Sequence, residues 1–390
     1  MSTRRTALAV TGAISLLAGC FYGCSSSSSS GDAQASKADA GNALDGAVQG
    51  EDASANVPTD GGTATGKDAG PVTIPSCVGT VATADRGSGA FFARVTVGAA
   101  PNAYPADFLV DFGSTGSEID LSAFPTPPAS SCDAGAGQYC TFADFDFFGS
   151  WGQVTFYTAK SGTKGTVRQG GILGTGFLSA HPFTLDYRGA RIFAGSNTAF
   201  CSDAELTAAG FRPMTTKGFY AHDLGTLNPL SVVDSTASKG TNVPNVPTVK
   251  LHVGGVEALA ELDTGFDDAV VPLSINVNEA YLAAIQAAAP AALTRTPALD
   301  LQLSTCAGVN EDVAAYKVTG DAELWADDGK AARTEKGAVL FVKHTPPAAK
   351  YCGGIGTWTV PAAQVGASFY ESAGVVIFDA IHSRVWMPSN

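Results

Sequence analysis

Two distant stretches of this chain repeat one unusual pattern. Asp107-Phe108-Leu109-Val110 reads as a strand and runs straight into Asp111-Phe112-Gly113-Ser114, after which Ile119 and Leu121 resume the apolar pattern. Residues 256–262 form a second such strand, leading into Asp263-Thr264-Gly265 and then the apolar run Ala269-Val270-Val271. An acidic residue directly after a strand and before glycine is a poor choice for a core. It suits a carboxylate displayed on a tight loop, where glycine permits backbone conformations closed to other residues. Asp-Thr-Gly alone is weak evidence, but the repetition continues. Each half later carries an apolar-Gly turn with Phe three residues on (Gly174/Phe177 and Gly366/Phe369). Each then has a strand ending in Asp with Arg five residues beyond (Asp186/Arg191 and Asp379/Arg384). Repeated supersecondary units predict repeated architecture. A duplication with pseudo-twofold symmetry would bring Asp111 and Asp263 together at the axis.

The segments between these motifs read mostly as strands and turns. Short β-branched and aromatic runs are bounded by Gly and Pro, as at residues 91–97, 183–187, 249–253, 299–303, 314–318, 322–325 and 338–342. Phe142 to Phe148 and Gln153 to Tyr157, joined by Gly149-Ser150-Trp151-Gly152, predict a β-hairpin across 141–160. The best helix is residues 276–289, with apolar Val277, Tyr281, Leu282 and Ile285, ending before Pro290. A hydrophobic content of 45%, including 21 Phe, is enough for a real core. With 23 basic against 36 acidic residues and no Lys/Arg cluster, nucleic acid is excluded as a partner, because phosphate binding needs concentrated positive charge.

The first 73 residues differ from the rest. Arg4 and Arg5 precede an apolar stretch, Ala7 to Ala18, closed by Leu17-Ala18-Gly19-Cys20. Residues 1–19 read as an export signal, and their end resembles a bacterial lipobox, which implies lipidation at Cys20. Residues 20–73 are rich in Ser, Ala, Gly and Asp and hold too little apolar surface to offset ordering entropy, so a disordered tether is expected. Gly61 to Lys67 matches a phosphate-loop spacing, but Asp68 replaces the required hydroxyl residue and no strand precedes it.

Together the ordered motifs resemble those of the pepsin-like aspartic proteases, over roughly residues 78–390. Leu262-Asp263-Thr264-Gly265 is also similar to the retroviral-type version of the loop. Ile172-Leu173-Gly174 and, more loosely, Gln364-Val365-Gly366 match the family's apolar-apolar-Gly element. The resemblance implies a mostly β, bilobal fold: two β-barrel-like lobes with a few short helices. Residues 74–201 would form the N-terminal lobe, 202–245 the connection and 246–390 the C-terminal lobe. It implies Asp111 and Asp263 as a catalytic dyad, with Gly113 and Gly265 allowing the loops to close. It assigns Ser114 a bond to the outer oxygen of Asp111 and Thr264 a brace across the lobes. The 141–160 hairpin falls where the family places its substrate-covering flap, with Trp151 or Tyr157 as flap aromatics. Two departures stand out. Phe112 occupies a position where the family has a bracing Thr, and Phe266 one where a small hydroxyl residue is common.

Other chemistries are poorly represented. The five histidines (His181, His222, His252, His344 and His382) are dispersed, and no metalloprotease or serine-hydrolase signature exists. Asp144-Phe145-Asp146 reads as a solvated strand face. No metal or cofactor is expected. Eight cysteines without Cys-x-x-Cys, in an exported chain, suggest disulfides. By position these would be Cys77–Cys201, Cys132–Cys140 and Cys306–Cys352, with Cys24 left over. The expectation is a monomeric lipoprotein of the bacterial cell envelope, membrane-bound only through Cys20, acting as an endopeptidase on peptide or protein substrates. The alternative is a degenerate pepsin-like fold that binds peptides or proteins without cutting. A third reading is a β-rich adhesin in which the duplication is architectural only.

Overall fold

The computed structural model describes residues 72–87, 89–132, 139–219, 231–234, 241–244, 246–266, 271–304, 310–344 and 355–389. The export signal, Cys20, Cys24, the phosphate-loop-like segment, nearly all of the tether, His222 and the Cys306–Cys352 pairing lie outside these residues.

The first half contributes β1 (Thr80–Gly87), β2 (Ala90–Val97), β3 (Tyr104–Val110), β4 (Glu118–Ile119), β5 (Ser130–Cys132) and β6 (Tyr139–Phe142). It continues with β7 (Phe145–Asp146), β8 (Val154–Thr158), β9 (Thr163–Lys164), β10 (Val167–Leu173), helix α1 (Thr175–Leu178), β11 (Phe183–Asp186) and β12 (Arg191–Ala194). Helix α2 (Asp203–Ala208), β13 (Phe211–Thr215) and the pair β14 (Ser231–Asp234) and β15 (Thr241–Pro244) follow. The second half opens with β16 (Thr248–Val253), β17 (Val256–Leu262), β18 (Ser274–Asn278) and helix α3 (Glu279–Ala288). Then come β19 (Leu293–Arg295), β20 (Leu301–Ser304), β21 (Asn310–Val313), β22 (Ala315–Val318), β23 (Asp321–Trp325) and β24 (Ala331–Lys336). The chain closes with β25 (Val339–Lys343), β26 (Ala362–Val365), helix α4 (Ala367–Ala373), β27 (Val375–Asp379) and β28 (Arg384–Pro388).

The duplication read in the sequence is present in the topology. In the first half, β2 pairs antiparallel with β3, β3 parallel with β10, β10 antiparallel with β4, and β4 parallel with β8. In the second half β16, β17, β26, β18 and β25 repeat this order with the same alternation of directions. The apolar-Gly turns are equivalent too: Gly174 opens α1 and Gly366 opens α4. The paired Asp/Arg signals mark the hairpins β11–β12 and β27–β28. These hairpins meet edge to edge, Phe183 opposite Phe378 and Leu185 opposite Val376. A sheet running β13-β28-β27-β11-β12-β1 therefore draws strands from both halves and ties them together. On one face of this sheet Phe183, Leu185, Val376 and Phe378 belong to a hydrophobic core shared by both lobes, and on the other Phe193, Phe211, Ile377 and Trp386 form a second cluster.

Several elements differ in detail from expectation. The helix starts at Glu279, not Asn276, because residues 274–278 complete β18 and Asn278 caps α3, its side chain accepting from the Tyr281 amide at 2.9 Å. The strand expected at 299–303 begins at Leu301, since Pro297–Leu299 forms a 3-10 turn. The hairpin of 141–160 exists as β6 against β8, Phe142 opposite Val154. Its first arm breaks after Phe142, and Phe145–Asp146 leaves to pair with β2. Burial explains the break: Phe145 is fully enclosed against Phe108, Phe156 and Phe177. The disulfides Cys77–Cys201 and Cys132–Cys140 are formed. The first joins the segment before β1 to the segment before α2. The second crosslinks β5 to β6.

Candidate active site

Each Asp-x-Gly loop leaves the central strand of its lobe in the same way. The Asp111 amide donates to Leu173 O at 3.0 Å, and the Asp263 amide to Val365 O at 3.1 Å, so each carboxylate is anchored to the strand of the apolar-Gly turn. The loops then meet face to face. A methyl group built on Gly113 would lie 2.2 Å from Cγ of Asp263, and one on Gly265 would lie 2.6 Å from Cγ of Asp111. No side chain fits at either position, which is why both are glycine. Asp111 and Asp263, residues only 1% and 3% exposed, hydrogen-bond to each other through their carboxyl groups.

The surrounding donors follow the same symmetry. Asp111 Oδ1 accepts from the Gly113 amide at 2.8 Å, with the Ser114 amide as a further donor. Asp263 Oδ1 accepts from the Gly265 amide at 2.7 Å and the Phe266 amide at 2.9 Å. The Ser114 hydroxyl, expected to serve Asp111, donates to Gly116 O at 3.0 Å instead; it is the backbone of Ser114 that reaches the carboxylate. Phe266 takes the matching backbone role, while its ring covers Gly366.

Burial pushes both carboxyls above the ordinary range, because the charged form loses its hydration. Asp263 is pushed well up, first by burial and then by the negative charges of Asp111 and Glu261. Asp111 is raised less, since the hydrogen bond from Asp263, the Lys164 charge and the two loop amides favour its anion. Two such groups in contact titrate as a pair that holds one proton between them.

Thr264 makes the brace assigned to it. Its hydroxyl donates to Val110 O at 2.7 Å and accepts from the Phe112 amide at 2.9 Å, both across the lobes. The reciprocal brace is missing, because position 112 carries a phenyl ring. That ring does not block the carboxyl pair. It stacks on Phe378, centroids 3.8 Å apart and planes 9° from parallel, with Phe219 edge-on. Phe112 has exchanged a polar brace for an aromatic one beneath the loops.

The topology is duplicated, the strands join at a shared sheet, and an Asp-Gly loop from each lobe meets its partner at the axis. The fold is pepsin-like. No protein-family model matches this chain. No curated protein matches it either. Among solved structures, it is similar to Basic 7S globulin from soybean at 11% identity, covering 80% of this chain and 97% of that one, with a TM-score of 0.41.

Within this pepsin-like fold the two aromatic residues expected over the site have other neighbours. Trp151 is partly buried among Phe147, Phe177 and His181 and donates from its indole nitrogen to Phe147 O at 2.7 Å. Tyr157 packs edge-on against Tyr139, opposite it across the β6–β8 pair. Among the described residues no cluster of three or more His, Cys, Asp or Glu could hold a metal ion. A surface cavity of about 600 Å³ lined by Asn197, Phe200, Asp203, His382 and Arg384 shares no residue with the carboxyl pair.

Four residues of the site are new to the structure. Gln364 Nε2 donates to Asp263 Oδ2 at 2.7 Å, and Gln364 Oε1 accepts from Asn276 Nδ2 at 2.7 Å, an arrangement that fixes the orientation of the Gln amide. Glu261 lies beside them, paired in register with Gln364. The equivalent first-lobe positions are Leu109 and Ile172, which pack in an apolar cluster with Phe92. At the positions of Glu261 and Gln364 the symmetry is thus broken, polar in the second lobe and apolar in the first. The signal was visible in Gln364, a polar residue where the apolar-apolar-Gly element calls for an apolar one. The fourth is Lys164, whose Nζ donates to Gly265 O at 2.9 Å. No motif pointed to it.

Proposed function

We propose that this protein is an aspartic endopeptidase whose dyad is Asp111 and Asp263. The observation that carries the reading is the buried, mutually hydrogen-bonded carboxyl pair, presented by two symmetry-related loops that only glycine can close. A pair in van der Waals contact cannot ionise fully, so it holds one proton over an acid to mildly acidic range, as the paired aspartates of pepsin do. The ionised member takes a proton from a bound water as the water oxygen attacks a peptide carbonyl carbon. The protonated member gives its proton to the carbonyl oxygen. The resulting tetrahedral diol loses its amine as the nitrogen takes the proton the dyad received from water. A diol hydroxyl returns its proton to the other carboxylate and the C–N bond breaks, leaving the acid and a dyad with one proton again. The two aspartates supply this chemistry, Gly113 and Gly265 let them meet, and Thr264 ties the two loops together.

A second reading is a peptide- or protein-binding module on the same fold. It is favoured by Phe112, which removes one brace, and by Gln364, which occupies Asp263 Oδ2. The two readings part on one binding measurement. A peptidase binds a peptide whose scissile carbonyl is replaced by a hydroxymethylene group at least about a hundredfold more tightly than the parent peptide. A binding module holds both alike. Preference for the isostere that survives Asp111→Asn together with Asp263→Asn would rule out the dyad as its cause.

We further propose that the protein is exported to the bacterial cell envelope, lipid-anchored at Cys20, and acts there as a monomer. Leu17-Ala18-Gly19-Cys20 and the two disulfides, which persist in oxidising compartments, support this. Metabolic labelling with a fatty acid should mark the protein and fail in Cys20→Ala; labelling of that variant would refute the anchor.

A further inference from the structure

The brace lost at Phe112 leaves the second-lobe loop with less support from the first lobe. A different first-lobe group reaches it. Lys164 ends the short strand β9, which pairs with β10 through Val167 opposite Lys164 and Arg168 opposite Thr163. Strand β10 in turn runs to Leu173, whose carbonyl holds the Asp111 amide. The strand that fixes Asp111 therefore also pairs with the short strand that carries the lysine. From there the partly buried side chain crosses the lobe boundary to donate to Gly265 O. Gly265 is the residue packed directly on the Asp111 carboxyl, so an ammonium bonded to its carbonyl stands on the loop that covers Asp111, and its charge favours the Asp111 anion. The Lys164 backbone is held close as well. A methyl group on Gly87 would lie 2.2 Å from Lys164 O, an approach that glycine alone permits.

We propose that Lys164 is a positioning residue of the dyad: it braces the second-lobe loop in place of the hydroxyl absent at position 112, and its charge makes Asp111 the ionised member of the pair. The proposal rests on the peptidase reading above. Asp111 faces Asp263, Lys164 and the amides of Gly113 and Ser114. Asp263 faces Asp111, Glu261, the amides of Gly265 and Phe266, and the neutral Gln364, with Asn276 behind it. Lys164 is the one cation in this set of described residues and stands on the Asp111 side; Glu261 is the one further anion and stands on the Asp263 side. The two charges act in the same sense. Asp111 becomes the base that receives the water proton, and Asp263 the acid that protonates the carbonyl oxygen.

The test uses the full chain with Lys164→Met, Lys164→Gln and, as a control on an exposed neighbouring lysine, Lys160→Met. The carboxyl carbons of Asp111 and Asp263 are followed by NMR through a pH titration, and kcat/KM for a peptide substrate is measured over the same range. Losing the cation should raise the Asp111 titration in both Lys164 variants and move the acid limb of the pH profile upward. Lys164→Met, which also loses the donor to Gly265 O, should lower kcat about tenfold. Lys164→Gln retains a donor and should keep most of kcat while showing the same shift of the acid limb. Lys160→Met should change neither. An Asp111 titration and acid limb unmoved in both Lys164 variants would overturn the proposal, and the Gln variant decides the matter should the Met variant fail to fold. If the wild-type chain cleaves no peptide, the peptidase reading falls. The carboxyl titration then still decides whether Lys164 sets the charge of Asp111.

Discussion

At the scale of single residues, position 112 decides how the lobes are held. A threonine there would restore a second hydroxyl brace but would empty the space in which Phe112 stacks on Phe378. Deleting a fully buried phenyl ring costs about 3–5 kcal/mol, more than the roughly 0.5–1.5 kcal/mol a net hydrogen bond returns. Phe112→Thr should therefore lower stability in urea denaturation by a few kcal/mol; a variant as stable as the parent would mean the ring contributes little. Thr264→Val has the opposite logic. It keeps the shape but leaves the Phe112 amide and Val110 O without the hydroxyl they now share, and should cost about 1–3 kcal/mol in the same measurement. Gln364→Leu removes the donor to Asp263 Oδ2. Since that bond favours the ionised carboxyl, its loss should raise the Asp263 pKa and move the alkaline limb of the activity profile upward. Of these residues, Asp111, Asp263, Gly113, Gly265 and Thr264 were legible in the sequence because each belongs to a local pattern. Gln364 was legible only as an irregularity. Lys164 was not legible, because its role depends on a contact 101 positions away in the chain.

At the scale of elements, the duplication was readable because strand, loop and strand follow one another within about a dozen residues in each half, where period-2 patterning and glycine turns are local signals. Boundaries moved where tertiary pairing overrode them. Asn276 looked like the start of a helix, yet its side chain serves Gln364 and its backbone the sheet. Phe145 looked like part of one long hairpin arm, yet the core drew it to β2. The disulfides belong to this scale as well. Cys77–Cys201 closes a separation of 124 residues and Cys132–Cys140 one of 8. On a chain-entropy basis, replacing the first pair with serine should cost about 5 kcal/mol and the second about 2.5 kcal/mol. Equal losses in denaturant unfolding would show that loop length is not what governs them.

At the scale of the whole molecule, the buried dyad makes stability and function oppose each other. The folded-state pKa of Asp263 is raised above its unfolded value, so the folded chain binds more protons than the unfolded chain between the two values. Stability is therefore present at low pH and is lost as pH rises through the raised pKa. Asp263→Asn removes the titrating group and should melt at a higher temperature than the parent at about pH 7, with the difference shrinking towards about pH 4. A variant that melts lower throughout would contradict that sign. The claim on which the rest depends is that the pair cuts peptide bonds, and the most direct measurement is digestion of denatured casein by the full chain between about pH 3 and 7, the range over which a shared-proton dyad works. The expected result is cleavage on the acid side that disappears in both Asp111→Asn and Asp263→Asn. Cleavage undiminished in Asp263→Asn, or no cleavage by the parent at any pH, would contradict it.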